Sequence, residues 1–141
     1  MPTRTSSAQW QGNLKDGSGT LALGSGAFEG SYSFVSRFET GEGTNPEELI
    51  AAAHAACYSM ALSNALASAG FTVNSVKTSA AVTLDRVDGA PTITRIDLTT
   101  RGDVAGIDPA EFDKQAAAAK AGCVISRALA AVEITLDAAL V

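Results

Sequence analysis

The chemistry open to this 141-residue chain rests on few side chains: two cysteines, Cys57 and Cys123, a single histidine, His54, and the ion-forming pair Arg37 and Glu47. At the ordinary thiol pKa of about 8.5 only a few per cent of a cysteine is thiolate at pH 7, and burial lowers that fraction. A guanidinium within about 4–6 Å reverses the balance by favouring the charged sulfur. Arg37 is the candidate for Cys57. Arginine stays charged when buried and offers a planar fork of donors, so a carboxylate can hold one edge while another faces sulfur; Glu47 is the candidate holder. The alternative reading of each thiol is a small buried hydrophobe. For Glu48, complementing a helix dipole is the preferred reading.

Glu47 and Cys57 lie ten residues apart in one helical segment, which means a rise of about 15 Å and a rotation of about 80°. Both cannot reach one guanidinium from the same straight helix. If all three serve one site, at least one comes from another copy of the chain, most simply across a two-fold axis, so a homodimer is expected. His54 precedes Cys57 by one helical turn, but a hydrolase-type Cys–His pair also needs an orienting acid and an oxyanion hole. No glycine-rich elbow surrounds this cysteine, and His54 reads as a satisfied core or interface residue. One histidine, no CxxC and no HExxH give too few ligands at workable spacing, so no metal is expected. A permanent Cys57–Cys123 staple would be uncommon in a cytosolic protein.

The segment carrying Cys57, TNPEELIAAAHAACYSMALSNALASAG, has clear helix signals: Asn45 as N-cap, Pro46 at the first position, Glu47 and Glu48 in the first turn and Gly70 as the stop. It predicts a helix of about 24 residues and about 36 Å, long for a chain of this size and therefore central. Leu49, Ile50, Ala53, Ala56, Cys57, Met60 and Ala61 recur at spacings of three and four, which predicts an inward stripe with Cys57 largely buried. The alanines would let another helix, or a second copy of this one, approach closely.

Around this helix, Ala8 to Leu14 and Thr20 to Leu23 read as a hairpin, and Ser31 to Phe38 as a third strand with Arg37 near its end. Val76 to Leu84 and Thr92 to Thr100 form a second hairpin about Asp88-Gly89 and Pro91. Asp108-Pro109-Ala110-Glu111 opens a helix that ends near Gly122, Val124 to Ala131 follows as a short helix whose first turn holds Cys123, and Val132 to Asp137 alternates as a last strand. Strands, long helix, strands, helix, strand indicate an α+β fold with segregated elements, with residues 1–141 forming a single domain.

Composition narrows the function classes. Hydrophobic residues at 46% and charged residues at 18% mark a compact globular chain. A net charge of −5 disfavours a phosphate-reading surface, so no nucleic-acid partner is expected. The N-terminal MPTRTSSAQWQ lacks a basic start followed by an apolar run, which makes the cytoplasm the default. Leu49 to Gly70 is long enough to span a bilayer, yet it holds His54, Tyr58, Ser59, Ser63 and Asn64 and is dominated by alanine; no membrane role is expected.

GTNPEELIAAAHAACYSMALS, the upstream SRFE at residues 36–39 and KAGCVISRAL at residues 120–129 together resemble the OsmC branch of the OsmC/Ohr family of organic hydroperoxide reductases, with similarity running through the closing EITLDAAL. The resemblance implies antiparallel β-sheets around a long central helix, an intertwined homodimer with two active sites at the subunit interface, and no metal, haem or flavin. It implies Cys57 as the peroxidatic cysteine, Cys123 as the resolving cysteine, and Arg37 and Glu47 as their polar partners. Proline then valine often follows the second cysteine in such proteins; here Val124-Ile125 follows, which frees one backbone N–H and relaxes φ.

With those roles, the Cys57 thiolate attacks the terminal peroxide oxygen, an alcohol leaves, and a sulfenic acid remains. Cys123 condenses with it to give a Cys57–Cys123 disulfide, which a dithiol reopens by exchange; the resemblance suggests a lipoyl-type reductant. An apolar pocket lined by Tyr58, Met60 and Phe34 or Phe38 would favour organic hydroperoxides over hydrogen peroxide. The competing readings are a non-enzymatic module binding a fatty or aromatic ligand, and a peroxide sensor that forms the disulfide without turnover.

Overall fold

Strands β1 (Ser6–Gln11), β2 (Ser18–Leu23) and β3 (Glu29–Tyr32) form an antiparallel meander in the order β1-β2-β3. At its centre Gly19 lies between Trp10 on β1 and Tyr32 on β3, whose rings stand 5.3 Å apart and cover the glycine. A methyl group at this position would collide with both rings. The computed structural model describes all residues, Met1–Val141, and this sheet belongs to the first of two compact units, Met1–Leu49 and Ile50–Val141.

The expected strand over Ser31 to Phe38 is corrected. β3 stops at Tyr32, and Phe34–Phe38 is a short helix, α1. Ser33 caps it reciprocally: its hydroxyl accepts from the Ser36 N–H at 3.1 Å, and the Ser36 hydroxyl accepts from the Ser33 N–H at 2.9 Å. Phe34 and Phe38, four residues apart, stack with centroids at 5.0 Å, a pairing a helix allows and a strand does not. Aromatic richness suggested a strand; the local cap decides for a helix.

The long helix α2 (Pro46–Ser68) begins at the end of the first unit and continues through the second. Asn45 caps it, its side-chain oxygen accepting from the Glu48 N–H at 2.8 Å, and Gly70 ends it at φ +92°.

In the second unit, β4 (Thr72–Val87) and β5 (Ala90–Ala105) form a long hairpin turned by Asp88 and Gly89, both at positive φ as a two-residue hairpin loop requires. α3 (Pro109–Gly122) and α4 (Val124–Ala128) then carry the chain across to β6 (Glu133–Leu140). Such a crossover brings β6 alongside β5 in parallel, so the sheet β4-β5-β6 is mixed rather than antiparallel throughout. Both β4 and β5 outrun the expected strands because backbone pairing continues beyond the alternating apolar run.

The core of this unit joins Ile96 and Leu98 of β5 to Tyr58, Leu62 and Leu66 of α2 and to Phe112, Ala116 and Ala119 of α3. The inward stripe of α2 is therefore His54, Tyr58, Leu62 and Leu66, rotated by about one residue from the expected one. Ala53 and Ala56 are exposed, Met60 is 76% exposed, and Cys57 is half-buried rather than buried. Large side chains remove more apolar area from water than alanines do, at about 25 cal/mol per Å², and they set the rotation.

Candidate active site

In the first unit, Arg37 and Glu47 meet because the loop between their helices is tied down. The Ser36 hydroxyl donates to the Thr44 carbonyl at 2.8 Å, and the Asn45 amide donates to the Ser36 carbonyl at 3.0 Å. These bonds set α1 against the first turn of α2. Arg37 then grips the buried Glu47 carboxylate by one edge, Nη2 to Oε1 at 2.8 Å and Nε to Oε2 at 3.2 Å. The guanidinium carbon also lies 5.2 Å from the Phe38 ring centroid. The carboxylate and the ring fix the orientation of the guanidinium, and its Nη1 donates to no group of this chain.

Both cysteines are free thiols and both belong to the second unit. Cys57 sits mid-helix on α2. Cys123 is 1% exposed at the junction where α3 ends and α4 begins, acting as C-cap of one and N-cap of the other. Burial pushes the Cys123 thiol up, but the Ser126 N–H, the Cys57 side chain, the Ser126 hydroxyl and the Ile125 N–H together hold it below its ordinary value. Cys57 packs against the core cluster that contains Cys123, within one unit.

Near Cys123 the core holds a polar contact. His54 Nε2 and Ser126 Oγ are 2.7 Å apart; the imidazole is fully buried, and its Nδ1 has no hydrogen-bond partner. Burial lowers the His54 pKa, leaving the ring neutral at neutral pH. The expectation of a satisfied core histidine therefore holds for one ring nitrogen and fails for the other. Ser126 was not among the candidate residues; the signal for it is its place three positions after Cys123, where the first helical turn returns a side chain toward the cap. Tyr58 is fully buried and its hydroxyl donates to the Ala116 carbonyl at 3.0 Å. Burial, and then the charge of a Cys123 thiolate, push its phenol above the ordinary value.

A cavity of about 590 Å³ opens beside Ser126 between α3, α4 and β6; Ala121, Ala130, Ile134 and Leu136 line it, with Lys120 and Arg127 among the lining residues. Of the residues expected to line an apolar pocket, Tyr58 is fully buried in the core, while Met60 and Phe38 are exposed on this chain. No group of three or more His, Cys, Asp or Glu side chains is placed to hold a metal ion.

The sequence pattern of the family described as "OsmC-like protein" matches residues 39–137. The chain belongs to the OsmC family. A relative of Escherichia coli named peroxiredoxin OsmC is 53% identical over 131 residues, covering 92% of this chain and 91% of that protein, and the Shigella flexneri protein of the same name matches equally. Among solved structures, an organic hydroperoxide resistance protein from Elizabethkingia anophelis superposes with a TM-score of 0.79 at 21% identity, each chain covered to 99%. An OsmC-like protein from Vibrio cholerae gives a TM-score of 0.77 at 17% identity, covering 99% of this chain and 100% of that one. The OsmC fold is thus the α+β arrangement described above, with two small sheets and one long helix.

Proposed function

We propose that this chain, a cysteine-based peroxidase like the peroxiredoxin it matches over most of its length, reduces organic hydroperoxides to alcohols, and hydrogen peroxide more weakly. Cys57 is the peroxidatic residue: its thiolate takes the terminal peroxide oxygen, the alkoxide leaves and is protonated, and Cys57 becomes a sulfenic acid. Cys123 then closes a Cys57–Cys123 disulfide with loss of water, and a dithiol of lipoyl type restores both thiols by exchange. The observation that carries this reading is the presence of two free thiols in one unit, Cys57 half-buried and packed against the core cluster in which Cys123 is buried.

Arg37 supplies positive charge to the sulfur and to the departing alkoxide, and Glu47 holds it in place. Because Glu47 and Cys57 are separated by about 15 Å of helix, the guanidinium that serves Cys57 belongs to a second copy of the chain, and residues 1–141 act as one domain of a homodimer. The exposed face of α2 supports this: with a mean hydropathy of 1.3 the helix is long and apolar enough to cross a membrane, yet only 22% of its most apolar window is buried in one chain. Its inward side carries His54 and Tyr58, bonded to Ser126 and Ala116; that suits a core helix whose outer face meets a partner helix. We place the enzyme in the cytoplasm, with no membrane or nucleic-acid partner.

Purified protein with dithiothreitol or dihydrolipoamide is expected to consume cumene or tert-butyl hydroperoxide faster than hydrogen peroxide, and Cys57→Ser is expected to abolish the reaction. An unchanged rate in that variant sinks the proposal.

A further inference from the structure

The least expected feature of the second unit is a polar chain leading away from the resolving sulfur. Cys123 caps the start of α4, Ser126 stands three residues on in its first turn, the Ser126 hydroxyl meets His54 Nε2 at 2.7 Å, and the three residues are 1%, 7% and 0% exposed. His54 Nδ1 is buried and unpartnered. An orphan polar atom in a core costs about 1–3 kcal/mol, and a histidine whose only task was to tie α2 to α4 would gain nothing by keeping one. We propose that Ser126 and His54 form a proton relay for Cys123: the hydroxyl accepts the thiol proton while passing its own to Nε2. His54 does not touch the reacting atoms and acts through Ser126 as a positioning and proton-accepting residue.

The inference rests on the disulfide-forming step of the proposed reaction and adds to it how the buried thiol loses its proton. The step balances. Cys123 gives its proton to Oγ, the Oγ proton moves to Nε2, and the ring, holding its other proton on Nδ1, becomes imidazolium. The Cys123 lone pair attacks the Cys57 sulfur, the S–S bond forms, the S–O bond breaks, and hydroxide leaves to take a proton from solvent. Cys57 sulfur is reduced and Cys123 sulfur oxidised, one water is formed, and the imidazolium returns its extra proton to solvent. The neutral state of the buried ring suits a proton acceptor. Cys57 and Tyr58 lie one turn further along its own helix, Ser126 ties it to the helix that Cys123 caps, and Lys120 and Arg127 border the cavity next to Ser126.

The step can be read without any peroxide. With 5,5′-dithiobis(2-nitrobenzoate), Cys57 forms a mixed disulfide and releases one thionitrobenzoate, and attack by Cys123 releases a second. The ratio of the second rate to the first isolates the work of Cys123. Ser126→Ala and His54→Gln are expected to lower this ratio by about tenfold or more at pH 7, the low end of general acid–base effects. The deficit should narrow as pH rises and hydroxide takes the thiol proton directly, and Ser126→Thr, which keeps the hydroxyl, should restore the ratio. A ratio unchanged in Ser126→Ala overturns the relay, and so does a slow Ser126→Ala beside a His54→Gln of native ratio; if His54→Gln does not fold, the Ala and Thr variants at Ser126 decide. Native protein that shows the relay's signature but leaves cumene hydroperoxide untouched keeps the relay and loses the peroxidase reading.

Discussion

The two thiols of the second unit differ in where their help comes from. Cys57 lies in the middle of a 23-residue helix, where the backbone N–H groups are committed to the helix itself and none is free for the sulfur. Cys123 lies at the junction between two helices, where, against the effect of burial, the polar groups of Ser126 and Ile125 and the Cys57 side chain hold its pKa below the ordinary value. A cysteine at a helix start is stabilised as thiolate by its own chain. A mid-helix cysteine must draw on a charge from elsewhere, and the oriented Arg37 guanidinium, bound to Glu47 by one edge, is the candidate on this chain.

The sharpest break of that comparison is to remove each sulfur in turn. Cys57→Ser is expected to consume no hydroperoxide. Cys123→Ser is expected to consume one equivalent per subunit and then stall, with a sulfenic acid that dimedone traps and that excess peroxide drives on to sulfinic acid. Mass spectrometry of the two variants after a single equivalent of cumene hydroperoxide reads this directly. Oxidation of Cys123 in the Cys57→Ser protein would mean that the self-stabilised thiol, and not the mid-helix one, meets the peroxide.

Next in size is the borrowed charge. Arg37→Ala is expected to lower kcat/KM by about 10²–10³, the usual loss of a pre-oriented group that stabilises a developing anion, and Glu47→Gln by less, since an amide still fits the site but holds the guanidinium without a charge. If the charge crosses between copies, refolding a mixture of Arg37→Ala and Cys57→Ser chains should restore activity that neither has alone, because the hybrid carries one intact site. A mixture as inactive as its components would return the arginine to its own chain.

Much of this was legible in the sequence, for physical reasons that can be named. Asn45-Pro46 and Asp108-Pro109 state their helix starts in local chemistry, and both hold, with Asp108 Oδ1 accepting from the Glu111 N–H at 2.9 Å. Arg37 and Glu47 were paired correctly on charge and reach alone. The strand expected to carry Arg37 is instead a helix, because Ser33 and Ser36 form a capping box in which Ser36 stands in place of the usual Glu or Gln. The rotation of α2 differs from the expected one because a run of alanines carries little periodic signal and Tyr58, Leu62 and Leu66 outweigh it. Ser126 stayed invisible because its meaning depends on His54, far away in sequence and brought near only by the fold.

A smaller effect tests the wall behind Cys123. Tyr58→Phe removes the hydroxyl that donates to the Ala116 carbonyl and should cost about 1 kcal/mol, a fall in Tm of a few degrees, by thermal denaturation. The peroxide rate of the Phe variant should stay near native. A large loss of rate at native stability would bring the phenol into the chemistry and shift the polar support of Cys123 away from Ser126.

The smallest effect is a pH slope, and its sign follows from burial. The His54 pKa is lowered in the fold, while in the unfolded chain it stands near its ordinary value of about 6.5. Above that value both states carry a neutral ring and the protein has its full stability. As pH falls below about 6.5 the unfolded chain takes up the proton first, so stability declines until the pH has passed the folded-state pKa. Exposed carboxylates such as Asp97, whose pKa is lowered first by the Thr135 hydroxyl and then by Arg95, add their own loss at lower pH, but they do so equally in any variant of His54. Native protein should therefore lose Tm faster than His54→Gln between pH 7 and 5, whatever constant offset the substitution brings. Parallel slopes would mean that the imidazole titrates freely in the fold, and a ring open to solvent could not serve Cys123 as a buried proton acceptor.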